Sequence, residues 1–168
     1  MNQAQGVIDA ARAAGADQYA ADEYNAAVES LAKSREAAEQ RDYRLALNFA
    51  LDAHERGQLA ARSAADQKAL IRSEADRLLQ SAETAAELVA SRLAAARTAR
   101  VAAADLSRFG ARLDIEQAAI EAARDRLEAD DLRAARSALR PAVERLAQLT
   151  SEIDAAIAAR QPRRPARR

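Results

Sequence analysis

The chain has no cysteine, which removes disulfide frameworks, thiolate nucleophiles and cysteine-based zinc sites from consideration. No apolar run approaches the ~20 residues that cross a bilayer, and Met1 is followed by Asn2, Gln3 and Gln5 rather than by a basic and then apolar leader. Only four glycines and three prolines are available for turns, and aromatic residues make up 3%. Strands draw on aromatic and β-branched residues, so this scarcity argues against a sheet. Lysine is reduced to Lys33 and Lys68 while arginine is abundant.

What remains is alanine, which supplies most of the 49% hydrophobic content of the 168 residues. Alanine has the highest helix propensity because it loses no side-chain rotamer freedom. At about 0.8 kcal/mol per CH₂-sized group buried, an alanine face is a weak core per residue. Long helices with many shallow contacts are therefore expected: an all-α protein, an elongated bundle of long antiparallel helices with two αα-hairpins, at about 21–65 and 114–159, joined by a long central helix.

The helical pattern opens at Asn2 with Val7, Ile8, Ala11 and Ala14 on one side, and Gly15 supplies a positive φ to end it. A second helix is expected from about Ala21 to Gln40, with Asp22 and Glu23 favourably placed in its first turn. Its inward residues are Tyr24, Ala27, Leu31 and Ala38, and Glu29 and Lys33 form an i, i+4 pair on the outer face. Asp42 reads as an N-cap in a tight turn over Arg41 to Tyr43, after which Leu45, Ala46, Phe49, Ala50 and Ala53 resume the pattern.

From Tyr43 to Gly110 the only glycine is Gly57 and there is no proline. A single helix of about 65 residues is expected there, ended by Gly110, with a break near Asp66 to Lys68 left open. Its seam is Ile71, Ala75, Leu78, Ala82, Ala85, Val89, Ala96, Ala103 and Leu106. The second hairpin then takes Asp114 as N-cap, a helix from Ile115 to about Glu128, a turn at Ala129 to Asp131 capped by Asp131, and a helix from Leu132 toward Ala159. Pro141 is expected at a kink or at the start of a new helix. The hairpins align without gaps at an offset of about 89, Leu31 on Ile120, Asp42 on Asp131 and Ala46 on Ala135. A single domain over 1–159 with an internal duplication of 21–60 in 110–149 follows, and the arginine-rich 160–168 reads as a basic disordered tail.

No catalytic constellation can be assembled. His54 is the only histidine, whereas a carboxylate-bridged di-iron bundle needs two Glu-x-x-His motifs. There is no phosphate-binding glycine loop and no nucleophile elbow. No cofactor, metal site or small-molecule substrate is expected, and the chain reads as no enzyme. Two groups are candidate partner contacts. One is the aromatic set Tyr19, Tyr24 and Tyr43, which either fills a hairpin end or anchors a partner. The other is the run Arg92, Arg97, Arg100, Arg108 and Arg112, faced in sequence only by Asp105, which suits a membrane surface or a polyanion.

The stretch Ala10-Ala11-Arg12-Ala13-Ala14-Gly15-Ala16-Asp17-Gln18-Tyr19-Ala20, followed by Tyr24, Ala27, Leu31, Arg41-Asp42-Tyr43, Ala46, Ala50 and Ala53, resembles the bacterial domain of unknown function 4398. The likeness covers mainly residues 1–65. It implies an alanine-rich helical domain of the periplasm or cell envelope, of the kind found behind signal or lipoprotein segments, with another envelope protein as partner. The Asp-Tyr turn also looks like a tetratricopeptide repeat, whose period of about 34 residues is not met. The functional expectation is a non-catalytic helical scaffold or protein-interaction module of the envelope, monomeric or homo-oligomeric. The alternatives are a peripheral binder of anionic lipid or polyanion and an intracellular tetratricopeptide-like adaptor.

Overall fold

The computed structural model describes residues 1–160. Among them are six α-helices and no strand: α1 (Asn2–Ala13), α2 (Ala16–Tyr19), α3 (Ala21–Glu39), α4 (Tyr43–Thr98), α5 (Ala103–Glu128) and α6 (Leu132–Arg160). The fold is all-α with a long central helix, as the composition requires. The expectation for the basic tail falls outside the described residues, except that Arg160 is the last residue of α6. Contacts group the chain into two compact units, Met1–Leu70 and Ile71 onward, where the sequence suggested one domain.

In the first unit α1, α3 and the first part of α4 pack through small residues. Ala4, Ile8, Ala27, Leu31 and Ala53 form one cluster with Tyr24 against it. Ala11, Ala16, Ala20, Ala60 and Ala64 form a second, flanked by Tyr19 and again Tyr24. The backbones approach closely where α1 crosses Gly57: a Cβ there would lie 2.9 Å from Val7 Cγ1 and 3.4 Å from Ile8 Cγ1. Ser30 and Ser34 are buried on α3, two residues the sequence pattern did not mark. Their hydroxyls are satisfied, Ser34 donating to the Ala46 carbonyl (2.7 Å) and Ser30 to Asp52 (2.5 Å).

The second unit is a three-helix bundle of the rest of α4, α5 and α6, with larger side chains inside. Val89, Leu93, Phe109, Leu113, Ile120, Leu139, Leu146, Leu149 and Ile153 are all buried in one cluster. Burial of these residues at about 25 cal/mol per Å² makes this the stronger core of the two.

Four turns end helices in one way. After each last helical residue comes a cap, then a residue with positive φ: Gly15 (85°), Arg41 (64°), Arg100 (57°) and Asp130 (62°). At Arg41, Arg100 and Asp130 the next N–H reaches back to a carbonyl of the last turn, Asp42 to Ala37 (2.9 Å), Val101 to Ala96 (3.0 Å) and Asp131 to Arg126 (2.8 Å). These bonds satisfy carbonyls a helix end would leave orphaned. Asp42 then accepts from the Leu45 N–H (3.0 Å) and Asp131 from the Ala134 N–H (3.4 Å), opening α4 and α6.

The long central helix differs from expectation at its far end. It stops at Thr98 rather than at Gly110, because Arg100 adopts the left-handed conformation and Val101 turns into the core. Gly110 is not a stop: it sits within α5, and beyond its neighbours and the nearby backbone of its own helix nothing comes within 4 Å of where its Cβ would be. Asp114 is likewise no N-cap, since α5 begins eleven residues earlier at Ala103, and Ala103 itself is exposed rather than part of a seam. The seam omitted Ala86 and Leu93, which are buried. There is no break at Asp66 to Lys68, where α4 is continuous. Pro141 begins no new helix, for α6 runs unbroken from Leu132 to Arg160 with Pro141 inside it.

The units share an internal register. Residues 89 apart on the two hairpins are buried alike: Leu31 and Ile120, Ala50 and Leu139, Gly57 and Leu146, Ala60 and Leu149, Ala64 and Ile153. The positive-φ pair Arg41 and Asp130 obeys the same offset. On the remaining helix of each unit, Ala4, Ile8, Ala11, Gly15 and Ala16 match Val89, Leu93, Ala96, Arg100 and Val101 at a spacing of 85.

A candidate partner-binding face

The three tyrosines do not come together. Tyr19 is packed at the turn after α1, its ring 3.1 Å from where a Gly15 Cβ would stand. Tyr24 is half-buried against both small-residue clusters. Tyr43 lies beyond the other end of α3, a helix of 19 residues and so about 28 Å long, and is 71% exposed. Tyr19 and Tyr24 therefore fill the interior where alanines leave room, and Tyr43 alone is available.

Tyr43 begins a row. Leu47 and Leu51 follow it at i+4 and i+8 on the same side of α4, 59% and 55% exposed. Beside the row is a groove of about 210 Å³ lined by Met1, Ala38, Tyr43, Ala46, Leu47 and Ala50. Every lining side chain is apolar apart from the Tyr43 hydroxyl, and Met1 is half exposed. Single exposed leucines need no explanation, but three large apolar residues in register beside an apolar groove form a patch. The sequence pattern read Leu45 as inward and passed over Leu47 and Leu51; Leu45 is in fact 41% exposed.

The arginine run is largely spent on carboxylates. Arg92 pairs with Asp154 of α6 (3.3 Å), and Arg112 grips Glu152 of the same helix. Arg108 pairs with Asp105 (3.0 Å) and stacks over the Phe109 ring at 5.2 Å. Arg100 supplies the backbone of the turn, while Arg97 is exposed in the last turn of α4, where a cation faces the negative end of the helix dipole. The second unit is laced together in the same manner. Arg145 donates twice to Glu116 (2.6 and 2.8 Å), a carboxylate 6% exposed, and this bonding raises the Arg145 guanidinium above its ordinary value. Arg136 and Arg140 both hold Glu74, at 3.0 and 2.5 Å, and lower its carboxyl below the ordinary value.

A larger groove of about 510 Å³ lies between α4 and α5, lined by Glu83, Ala86, Glu87, Gln117, Ile120, Glu121 and Arg124. Arg124 bridges Glu83 (2.5 Å) and Glu121 (2.9 Å) across it, so its polar groups already satisfy one another. His54 is half-buried with its Nε2 3.1 Å from Gln58 Nε2. Among the described residues no three His, Cys, Asp or Glu side chains converge as metal ligands, and no helix is long and apolar enough to cross a membrane. Comparison of the chain with protein-family models, with curated proteins and with solved structures gave no match.

Proposed function

We propose that the chain is a non-catalytic helical scaffold whose first unit binds another protein through the face made by Tyr43, Leu47 and Leu51. The observation that carries this reading is the placement of those side chains, exposed in helical register beside an apolar groove. Aromatic and aliphatic anchors that lose water on contact dominate the energy of most interfaces. The distribution of charge supports the same reading, because Arg92, Arg108, Arg112, Arg124, Arg136, Arg140 and Arg145 are each matched to a carboxylate within the second unit. A polyanion or an anionic lipid surface would have to compete for them, which makes lipid binding the second reading.

The envelope as compartment, with an envelope protein as partner, rests on the resemblance of residues 1–65 to the domain of unknown function 4398. The common register of the two units supports an ancestral duplication of the hairpin.

The test is affinity capture from envelope and cytosolic extracts with the purified chain and with its Leu47→Glu variant. A protein retained by the parent chain and lost by the variant is expected, at an unchanged melting temperature. Recovery of the same protein by both chains removes the face from the proposal. Co-sedimentation with anionic liposomes at low salt, with no protein captured, replaces it with the lipid reading.

A further inference from the structure

Charge is unevenly spread along the second unit, and one end of its bundle is almost free of acid. Arg92 of α4 pairs with Asp154 of α6 (3.3 Å), and Arg112 of α5 holds Glu152 of α6. Those ties fix the register of the three helices. Counted from them at the helical rise, Arg97 on α4, Arg108 on α5 and Arg160 on α6 all stand about 6–9 Å further toward the same end. Arg100 stands there too, in the turn that joins α4 to α5, and Ala96, Val101, Phe109 and Ile153 close the core beneath.

Past the Arg92 and Asp154 tie the carboxylates run out. None occurs from Leu88 to Ala104 or after Asp154, and Asp105, the one acid at this end, is held by Arg108 (3.0 Å). Arg97, Arg100 and Arg160 are exposed and, among the described residues, pair with no carboxylate. Residues 161–168, bonded directly to Arg160 and outside the described residues, add Arg163, Arg164, Arg167 and Arg168 and no acid. Residues 93–110 and 155–168 together hold eight arginines and one aspartate, on a chain whose formal net charge is zero.

Such a surface takes an anionic partner, and the side chains around it decide the kind. Phe109 is the only aromatic residue of the second unit and is buried, so nothing is available to stack on a nucleic-acid base. The helices present their ends here, not a flank that could lie in a groove of a duplex. The neighbouring exposed residues Ala103, Ala104, Ala158 and Ala159 are small, so the long arginines reach furthest from the end of the bundle. A layer of anionic headgroups asks only for several cations that reach it together.

We infer that the end of the second unit made by Arg97, Arg100, Arg108 and Arg160 docks on a membrane surface rich in anionic phospholipid, through headgroup phosphates. The contact is electrostatic, since no large apolar side chain is exposed at this end and no helix among the described residues is long and apolar enough to cross a membrane. The surface belongs wholly to the second unit, whereas Tyr43, Leu47 and Leu51 belong to the first.

The probes are vesicles of phosphatidylcholine with one quarter phosphatidylglycerol, and vesicles of phosphatidylcholine alone, sedimented with the full chain at low salt. Binding to the anionic vesicles only is expected, weakened roughly tenfold or more at about 0.5 M salt. Arg97→Gln, Arg100→Gly and Arg160→Gln together are expected to weaken it roughly a hundredfold, at about fivefold for each charge, with a melting temperature no lower than the parent's. A control that removes the same charge from the first unit, Arg12→Gln with Arg44→Gln and Arg62→Gln, is expected to bind as the parent does. Equal binding by the two triple variants, equal binding to neutral vesicles, or no binding to anionic vesicles overturns the inference. So does saturation of a labelled oligonucleotide, duplex or single-stranded, at a lower protein concentration than the vesicles need, which makes nucleic acid the partner. Leu47→Glu is expected to leave vesicle binding unchanged, so failure of this surface and failure of the Tyr43 face are read separately.

Discussion

Tyr43 and Leu132 occupy the same step after the same turn, each following a capping aspartate and a residue of positive φ, yet one is 71% exposed and the other has no exposed surface. The backbone cannot distinguish them. What differs is the stretch of α4 packed near Leu132, while among the described residues no helix covers Tyr43.

The turn at Arg100 carries backbone strain that glycine would relieve. A side chain at φ 57° costs about 1 kcal/mol relative to glycine, and this turn has no glycine. Arg100→Gly is expected to raise the melting temperature by the equivalent of about 0.5–1 kcal/mol. Gly15→Ala is expected to lower it, since the position has φ 85° and the new Cβ would stand 3.1 Å from the Tyr19 ring. Thermal unfolding by circular dichroism of the two variants reads both signs.

Gly57 lies inside α4, where an exchange to alanine ordinarily gains about 1 kcal/mol. Here the added methyl would lie 2.9 Å from Val7 Cγ1, so overpacking decides the outcome. Gly57→Ala is expected to destabilise by about 1–2 kcal/mol in urea unfolding, and the double variant with Val7→Ala to recover most of the loss.

Glu116 is buried and has Arg145 as its partner through two hydrogen bonds. Arg145→Ala strands the carboxylate in the core, whereas Glu116→Gln keeps the shape and removes the charge. The arginine is half exposed, which discounts the loss relative to a fully buried pair. About 1–3 kcal/mol is expected for Arg145→Ala and distinctly less for Glu116→Gln, measured by denaturant titration.

Acid should unfold the chain through its bonded carboxylates. Asp52 is lowered chiefly by the Ser30 hydroxyl and then by Arg56; Glu74 is lowered by Arg136 and Arg140, and Glu152 by Arg112. Because each is depressed in the folded state, the unfolded chain takes up the proton first as pH falls. The stability they contribute is present above the ordinary carboxylate range, near pH 4, and is lost below it. Melting temperatures between about pH 6 and pH 2 are expected to fall below about pH 4, and Ser30→Ala should move the Asp52 titration upward in NMR.

Much of the fold was legible in local chemistry. Gly15, Asp42 and Asp131 mark their turns because capping and positive φ have strong residue preferences, and the helix limits near Ala21, Tyr43, Glu128 and Leu132 follow from them. The end of α4 was not legible, since Ala99 to Ala102 contains no glycine, proline or good N-cap; the turn is imposed by burial of Val101. Gly110 misled for the converse reason, being a helix breaker by preference that α5 tolerates with open space around it. The arginine run read as free because its acids, Glu152 and Asp154, are supplied by α6 more than 40 residues away in the case of Arg92 and 40 away for Arg112. The open face was invisible for a similar cause: an exposed Tyr43 and a buried Leu132 are told apart only by what packs over them.

The most direct measurement of the central claim is site-specific photo-crosslinking in the source cells. A benzophenone side chain would be placed at Leu47, in the open face, and separately at Leu70, which is 63% exposed but outside the Tyr43 row and its groove. A single protein adduct from position 47, absent from position 70 and abolished by Tyr43→Glu, is the predicted result. Equal labelling from both positions, or no protein adduct at position 47, would contradict the account.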